Sequence, residues 1–85
     1  MIYTVELRPS ARRELLKLPR RDQLRLIRAM DALSHVPRPP GVKKLTGLDD
    51  LYRIRVGDYR VVYRIEDDRL IVLVVRIGRR KDVYR

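Results

Sequence analysis

The fold of this chain is decided by residues 51–65, which read LYRIRVGDYRVVYRI. Apolar residues largely alternate with arginines on both sides of Gly57 and Asp58, and this period of two is typical of half-buried β-strands. A glycine at the first of two loop positions fits a type II′ turn. The stretch therefore predicts a β-hairpin with a two-residue loop, and that loop fixes how the two strands pair.

The predicted pairing gives the hairpin two different faces. One face carries tyrosines and aliphatic residues and is expected to pack on helices; its members are Tyr52, Ile54, Val56, Tyr59, Val61, Tyr63 and Ile65. On the opposite face Arg55 lies directly across from Arg60, with Arg53 two positions along. Like charges at paired positions destabilise a sheet, and a bound anion would relieve the repulsion. The register thus predicts a phosphate-binding site.

Two helices and two further strands are predicted around the hairpin. They are a strand at residues 2–7, a helix from Pro9 to about Pro19, a second helix from about Arg20 to His35, a loop at residues 36–50 and a last strand at residues 70–77. Pro9 suits the first turn of a helix, where its missing N–H has no partner to lose. We expect one α+β domain over residues 1–85, ordered β-α-α-β-β-β, with a mainly antiparallel sheet and both helices packed on one face.

A second hairpin connection is predicted within residues 66–69, EDDR. If the two aspartates form a two-residue loop, Arg60 lies opposite Val75. Arg80 and Tyr84, which follow the last strand, then reach the face of the arginine pair. The last strand is apolar throughout, which is typical of a strand covered on both faces.

The composition favours an acidic partner and narrows the chemistry. Lys and Arg number 21 against 11 Asp and Glu, so the formal net charge is +10, and 17 of the basic residues are arginines, whose planar fork suits phosphate. With no cysteine and one histidine, disulfides, zinc-thiolate sites and His-rich metal sites are excluded, and we expect no metal and no cofactor. The sequence has neither a membrane span nor a signal peptide pattern, so a cytoplasmic protein is expected.

Residues 43–65, KKLTGLDDLYRIRVGDYRVVYRI, followed by residues 76–85, RIGRRKDVYR, resemble the RelE/ParE superfamily of bacterial type II toxins. The resemblance covers nearly the whole chain and implies the small RelE-like fold. RelE-like members are ribosome-dependent, metal-free endoribonucleases that cut mRNA in the A site of the 70S ribosome and arrest translation. The resemblance also implies a RelB-like antitoxin, acidic and partly disordered when alone, in a toxin-antitoxin hetero-oligomer.

The resemblance further implies five catalytic residues. Arg53 and Arg55 match two basic strand positions, which are lysines in the best-known RelE pattern, and Arg60 matches a phosphate-binding arginine. Arg80 and Tyr84 match a C-terminal arginine and tyrosine, although their spacing is shorter here.

Other basic side chains are expected to contact the RNA backbone. They are Lys43, Lys44, Arg79 and Lys81. Thr46 stands where the RelE pattern often has a further basic residue.

The expected reaction uses the RNA's own 2′-OH as nucleophile, so it needs a base, cations at the phosphate and an acid for the leaving oxygen. Arg60 and Arg80 would hold and neutralise the scissile phosphate, and the strand arginines would position the backbone. Arginine essentially cannot deprotonate, so Tyr84, with Lys81 as a second candidate, would act as base.

Two other functions fit the same sequence. A ParE-like toxin shares the fold but inhibits DNA gyrase by binding and cuts no RNA, and the missing strand lysines are compatible with it. A nonspecific RNA-binding module would bind RNA in a salt-sensitive way without toxicity. Tyr84 after GRRKDV favours the RelE-like function.

Overall fold

The computed structural model describes residues 2–45 and 50–79. In chain order these residues form β1 (Thr4–Leu7), α1 (Pro9–Leu16), α2 (Arg20–Ala32), β2 (Lys43–Lys44), β3 (Leu51–Val56), β4 (Tyr59–Glu66) and β5 (Ile71–Arg79). The strands make one sheet in the order β1-β5-β4-β3-β2. Only the β1–β5 pair is parallel within these residues. The predicted α+β architecture with a mainly antiparallel sheet is confirmed.

Both helices bury their apolar stripes on the same face of the sheet. They contribute Ala11, Leu15, Leu26 and Met30, and the turn after α2 adds Leu33, to one core with Tyr59, Val61, Tyr63, Ile65, Val72, Val74 and Ile77 of the sheet. These strand residues alternate along β4 with the arginines, as the period of two requires. The helical layer therefore covers one face, and the arginines of the hairpin point away from it.

Each helix ends three residues earlier than the sequence pattern predicts, at Leu16 and at Ala32. After α2, the backbone N–H groups of residues 33–35 donate to carbonyls three residues back, so the chain tightens into a narrower turn. The apolar residue Leu33 extends the helical pattern although it lies in this turn and is buried there.

The first hairpin has the predicted register. Arg55 pairs with Arg60, and Arg53 pairs with Val62. Gly57 has a φ of +60°, whereas Asp58 has no positive φ, which is the combination that a type II′ turn needs.

The predicted register of the second hairpin is wrong. Glu66 pairs with Ile71, so residues 67–70 form a four-residue connection in which Leu70 has a φ of +53°. A β-bulge then leaves Val75 without a partner, because Val62 pairs with residue 76 and the next residue pairs with residue 74. As a result Arg60 lies opposite Gly78 and not opposite Val75.

Two further expectations need correction. Residues 43 and 44, predicted within a loop, form β2 and pair with Arg53 and Tyr52. Within the described residues, helices cover the apolar strand β5 on one face only, and its opposite face keeps Leu73 and Val75 half-buried. β5 is an interior strand of the sheet, between β1 and β4.

A side chain of helix α1 accepts a backbone hydrogen bond from the edge of β5 at the point where β1 has ended. The pairing of β1 with β5 stops at Val74, and the backbone N–H of Ile77 donates to Oε1 of Glu14 at 3.0 Å. The other carboxylate oxygen of Glu14 accepts from Arg76 at 3.5 Å. The Glu14 side chain thus replaces a missing strand partner.

We expect Glu14→Ala to lower the free energy of unfolding by about 1–3 kcal/mol, because it leaves the half-buried N–H of Ile77 without an acceptor. Glu14→Gln keeps an oxygen at this position and loses only the long ion pair with Arg76, so its cost should stay under about 1 kcal/mol. Urea denaturation of the two variants measures the difference. Equal losses would show that the hydrogen bond to Ile77 contributes nothing.

A polar network links the loop after α2 to the connection between β4 and β5. Arg38 donates to both carboxylate oxygens of Asp67, at 3.3 and 3.0 Å, and the Tyr3 hydroxyl donates to the same carboxylate at 2.6 Å. The guanidinium also lies 5.2 Å from the ring centre of Tyr52, which stacks on Tyr63 at 6.0 Å. The hydrogen bonds from Arg38 and Tyr3 lower the pKa of the Asp67 carboxyl below its ordinary value of 3.8.

This network predicts an acid sensitivity. A carboxyl whose pKa is lower in the folded state stabilises the fold above its unfolded pKa, and this stabilisation is lost as the pH falls through the folded pKa. We therefore expect the urea midpoint of Asp67→Asn to be below that of the wild-type protein at pH 7 and to approach it at pH 3. A difference that is the same at both values would contradict the role of this carboxylate.

Candidate functional site

The arginines of the hairpin form a surface on the sheet face opposite the helices, here called the arginine face and defined by Arg53, Arg55 and Arg60. Direct pairing places the side chains of Arg55 and Arg60 next to each other, with Cβ atoms about 5 Å apart. Arg53 projects on the same side two positions along β3. Three positive charges therefore share a small area of one sheet face.

Arg60 is the central member of this face. It has Arg55 on one side and Gly78 on the other, and a glycine puts no side chain over the neighbouring strand. Its side chain is half-buried and its Nε atom is shielded from solvent, so the stem is held against the sheet. The bulge in β5 thus places Gly78, and not the predicted Val75, opposite Arg60.

The row next to Arg60 is also basic. Pairing aligns Lys43, Arg53, Val62 and Arg76 across four strands. Val62 is only 4% exposed although, within the described residues, no helix lies over it. The side chains that flank it in this row are basic, and arginine and lysine stems cover apolar surface while their charged heads stay in water.

The structure separates the expected RNA-contacting residues. Lys43 extends the row of Arg53, whereas Lys44 projects to the helical side, 3.4 Å from Asp50 and 6.0 Å from the ring centre of Tyr52. Arg79 pairs with Tyr59 and so also projects to the helical side. Of these three, only Lys43 shares the arginine face.

Arg80, Lys81 and Tyr84 lie outside the described residues, as does Thr46. Their expected contribution to the site stays a prediction. The described part of the site consists of the arginine face with Lys43 beside it.

Tyr59 marks the opposite, helical side of the hairpin tip. Its hydroxyl donates to Oδ2 of Asp22 at 2.9 Å. This hydrogen bond to a carboxylate raises the pKa of the Tyr59 hydroxyl above its ordinary value of 10.0. The bond anchors the start of α2 to the hairpin that carries the arginine face.

Comparison with known protein families identifies the chain. Residues 5–84 match the family model of the ParE toxin of the parDE type II toxin-antitoxin system. Toxin RelG of Mycobacterium tuberculosis is 37% identical over 86 residues, which cover 100% of this chain and 99% of the relative. This chain belongs to the RelE/ParE superfamily of type II toxins.

Other known proteins place the toxin nearer to RelE than the name of the family model suggests. The M. tuberculosis toxin-antitoxin complex RelBE2 contains a chain with a TM-score of 0.83 and 35% identity, and the match covers 94% of this toxin and all of that chain. The mRNA interferase toxin RelE of Escherichia coli is 38% identical over 45 residues, about half of either chain. The toxin is therefore a RelE-family member of a type II system.

The described ranges of the toxin contain neither a metal-holding group nor a membrane-crossing helix. No three histidine, aspartate or glutamate side chains there come together in a way that would bind a metal ion. Neither α1 nor α2 has the length and apolarity to cross a membrane.

The toxin also has an apolar groove that the sequence did not reveal. It runs between α2 and the outer edge of β3, where the short β2 pairs only with residues 52 and 53 in the part of the chain that the structure describes, and its volume is about 770 Å³. Its walls include Ala29, Ala32, Leu33 and Val56. Sequence periodicity shows which face of α2 is buried, but it does not show which strand of the sheet lies beside the helix. The groove could therefore not be predicted from the sequence.

Proposed function

We propose that this toxin is a ribosome-dependent endoribonuclease that cuts mRNA in the ribosomal A site and thereby arrests translation. The observation that carries the proposal is the pairing of Arg55 with Arg60 on the sheet face opposite the helices. This arrangement concentrates positive charge on one face, which favours binding of a phosphate group. The naming of the E. coli relative as an mRNA interferase supports the same activity.

In the proposed reaction the 2′-OH of the RNA attacks the adjacent phosphate and the 5′ oxygen leaves. Charge develops on the nonbridging oxygens of the pentacoordinate phosphate, and Arg60, together with Arg80, neutralises it. Arg53 and Arg55 position the backbone, and Lys43 contacts a neighbouring phosphate. Fixed guanidinium groups supply the charge that a metal ion supplies in other nucleases, so the reaction is proposed to need no metal.

The base is assigned to Tyr84, with Lys81 as the second candidate. Guanidinium groups cannot accept the proton because arginine stays charged in proteins. Nearby positive charges lower the pKa of a phenol from about 10, which makes the phenolate accessible. Orientation of the mRNA by the ribosome then compensates for a weak base, since correct placement of the reacting atoms alone lowers the barrier substantially.

The proposed partner is a RelB-like antitoxin. The toxin chain in the similar M. tuberculosis structure is part of a toxin-antitoxin complex. A chain of net charge +10 favours an acidic segment that folds on binding and covers the site. The toxin is accordingly proposed to act in the cytoplasm, as a hetero-oligomer with antitoxin until it is released onto ribosomes.

Primer extension on mRNA from translating ribosomes tests the nuclease activity. The wild-type toxin should produce breaks at A-site codons, and these should disappear in Arg60→Ala and in Tyr84→Phe. Breaks that persist unchanged in both variants would refute the assignment of the site.

A ParE-like activity is the second candidate, because the matching family model is that of the ParE toxin. It predicts gyrase-dependent DNA breaks and induction of the SOS response on expression, with mRNA intact. Translation arrest with intact DNA would instead support the RelE-like activity.

A further inference from the structure

A second basic surface lies on α2, outside the proposed active site. Arg21, Arg25 and Arg28 are spaced i, i+4 and i+7, so they form one stripe along the helix, here called the basic stripe. At a rise of about 1.5 Å per residue, successive members are about 6 Å and about 4.5 Å apart along the axis. All three side chains are exposed.

The basic stripe continues the arginine face around the tip of the hairpin. Nη2 of Arg25 lies 2.6 Å from the point where a Cβ on Gly57 would be, so this guanidinium rests directly on the β3–β4 turn. Arg55 in β3 and Arg60 in β4 are the members of the arginine face that lie nearest to that turn. One turn further along α2, Ala29 and Ala32 face β3 across the groove, so this flank of the helix borders the β3 edge.

The charges of the basic stripe are not compensated within residues 2–45 and 50–79. None of its three guanidinium groups makes a salt bridge or side-chain hydrogen bond there. The two acidic residues of the helix are Asp22, which accepts the Tyr59 hydroxyl, and Asp31, three residues after Arg28. Like charges at i, i+4 and cations near a helix N-terminus both destabilise a helix.

We propose that the basic stripe is a second phosphate-contacting surface, which binds the RNA backbone where it passes from the arginine face around the hairpin tip onto α2. The inference rests on the proposed action on RNA and extends the substrate site by several nucleotides. The contacted phosphates belong either to the mRNA strand being cut or to the adjoining ribosomal RNA, and both present the same backbone chemistry to the three arginines.

The test compares two triple variants with the same change in net charge. Arg21→Gln/Arg25→Gln/Arg28→Gln removes the basic stripe. Arg12→Gln/Arg13→Gln/Lys17→Gln removes three exposed cations from α1 and the residue that caps it, none of which makes a salt bridge within the described part of the chain. Circular dichroism confirms that both remain folded. Binding is measured by fluorescence anisotropy with single-stranded 2′-O-methyl oligonucleotides, which lack the nucleophile, and by co-sedimentation with ribosomes.

For the wild-type toxin, affinity should rise as the oligonucleotide lengthens from about 4 to about 12 nucleotides. Loss of the basic stripe should abolish this gain and reduce the slope of log K against log salt by up to about 2, because each single-strand phosphate contact contributes about 0.7. The α1 variant should keep the gain in affinity. Lost ribosome binding with unchanged oligonucleotide binding would support the proposal with ribosomal RNA as the source of the phosphates.

Equal effects of the two variants would overturn the proposal, since a general charge effect would then explain both. It would also be overturned if only antitoxin binding weakened, because the basic stripe would then contact protein. Cleavage is scored separately. The wild-type toxin could cut no mRNA while the variant without the basic stripe loses the length-dependent binding. That result would refute the proposed nuclease activity and still support the second phosphate-contacting surface.

Discussion

Replacing Arg60 with alanine is expected to lower the rate of A-site mRNA cleavage by about 10²- to 10³-fold, the loss typical of removing one group that stabilises developing charge in a transition state. Arg60 lies between Arg55 and Gly78 at the centre of the arginine face, where we expect it to contact the phosphate. The fold should survive, because the removed side chain is half-exposed and faces a like charge. Single-turnover primer extension at saturating toxin measures the rate.

Arg64 supplies the matched control. It lies four residues along the same strand, on the same face and equally half-buried, but its partners are Leu51 and Leu73. Arg64→Ala should reduce cleavage by less than about tenfold if only the charge near Arg55 matters. Arg60→Lys should recover part of the rate, since lysine keeps the charge but loses the bidentate fork. Similar losses in Arg60→Ala and Arg64→Ala would show that the face acts through its total charge and has no defined phosphate site.

The first hairpin could be predicted because its signals are local. A glycine in a two-residue loop selects the turn, and the strands on both sides alternate strictly enough to fix which side chains share a face. The pairing of Arg55 with Arg60 follows from that turn alone. The part of the candidate site carried by β3 and β4 was therefore accessible from sequence.

The second hairpin could not be predicted, because its deciding features carry no local signal. Residues 67–70 read DDRL, and the position with positive φ is Leu70, where a glycine or asparagine is the usual occupant. The bulge at Val75 lies inside a uniformly apolar run, so no change of period marks it. These two features also affect the candidate site, because they place Gly78 opposite Arg60.

The basic stripe shows a different limit of sequence reasoning. Helical spacing indicates that Arg21, Arg25 and Arg28 share a flank of α2, but the contact of Arg25 with Gly57 depends on how the helix crosses the sheet. Such long-range placement is set by packing of the whole core. The sequence therefore shows that the charges exist, and the structure shows that they adjoin the arginine face.

The second large effect is expected in the core, where Leu26→Ala should lower the free energy of unfolding by about 2–5 kcal/mol. Leu26 is fully buried where α2 meets the sheet, and a domain of this size buries too little surface to absorb the cavity easily. At about 4–8 °C per kcal/mol, the melting temperature should fall by at least about 8 °C. Leu24 on the same helix is 42% exposed, so Leu24→Ala should stay within about 0.5 kcal/mol of the wild-type toxin.

The two large effects separate folding from chemistry. A partner that binds only the folded toxin raises its apparent stability, so antitoxin should recover much of the lost melting temperature of Leu26→Ala. Once folded at low temperature, that variant should cut mRNA at close to the wild-type rate per folded molecule, whereas Arg60→Ala should be folded and slow. A Leu26→Ala variant that is fully folded but cuts as slowly as Arg60→Ala would mean that the packing of α2 on the sheet sets the geometry of the arginine face.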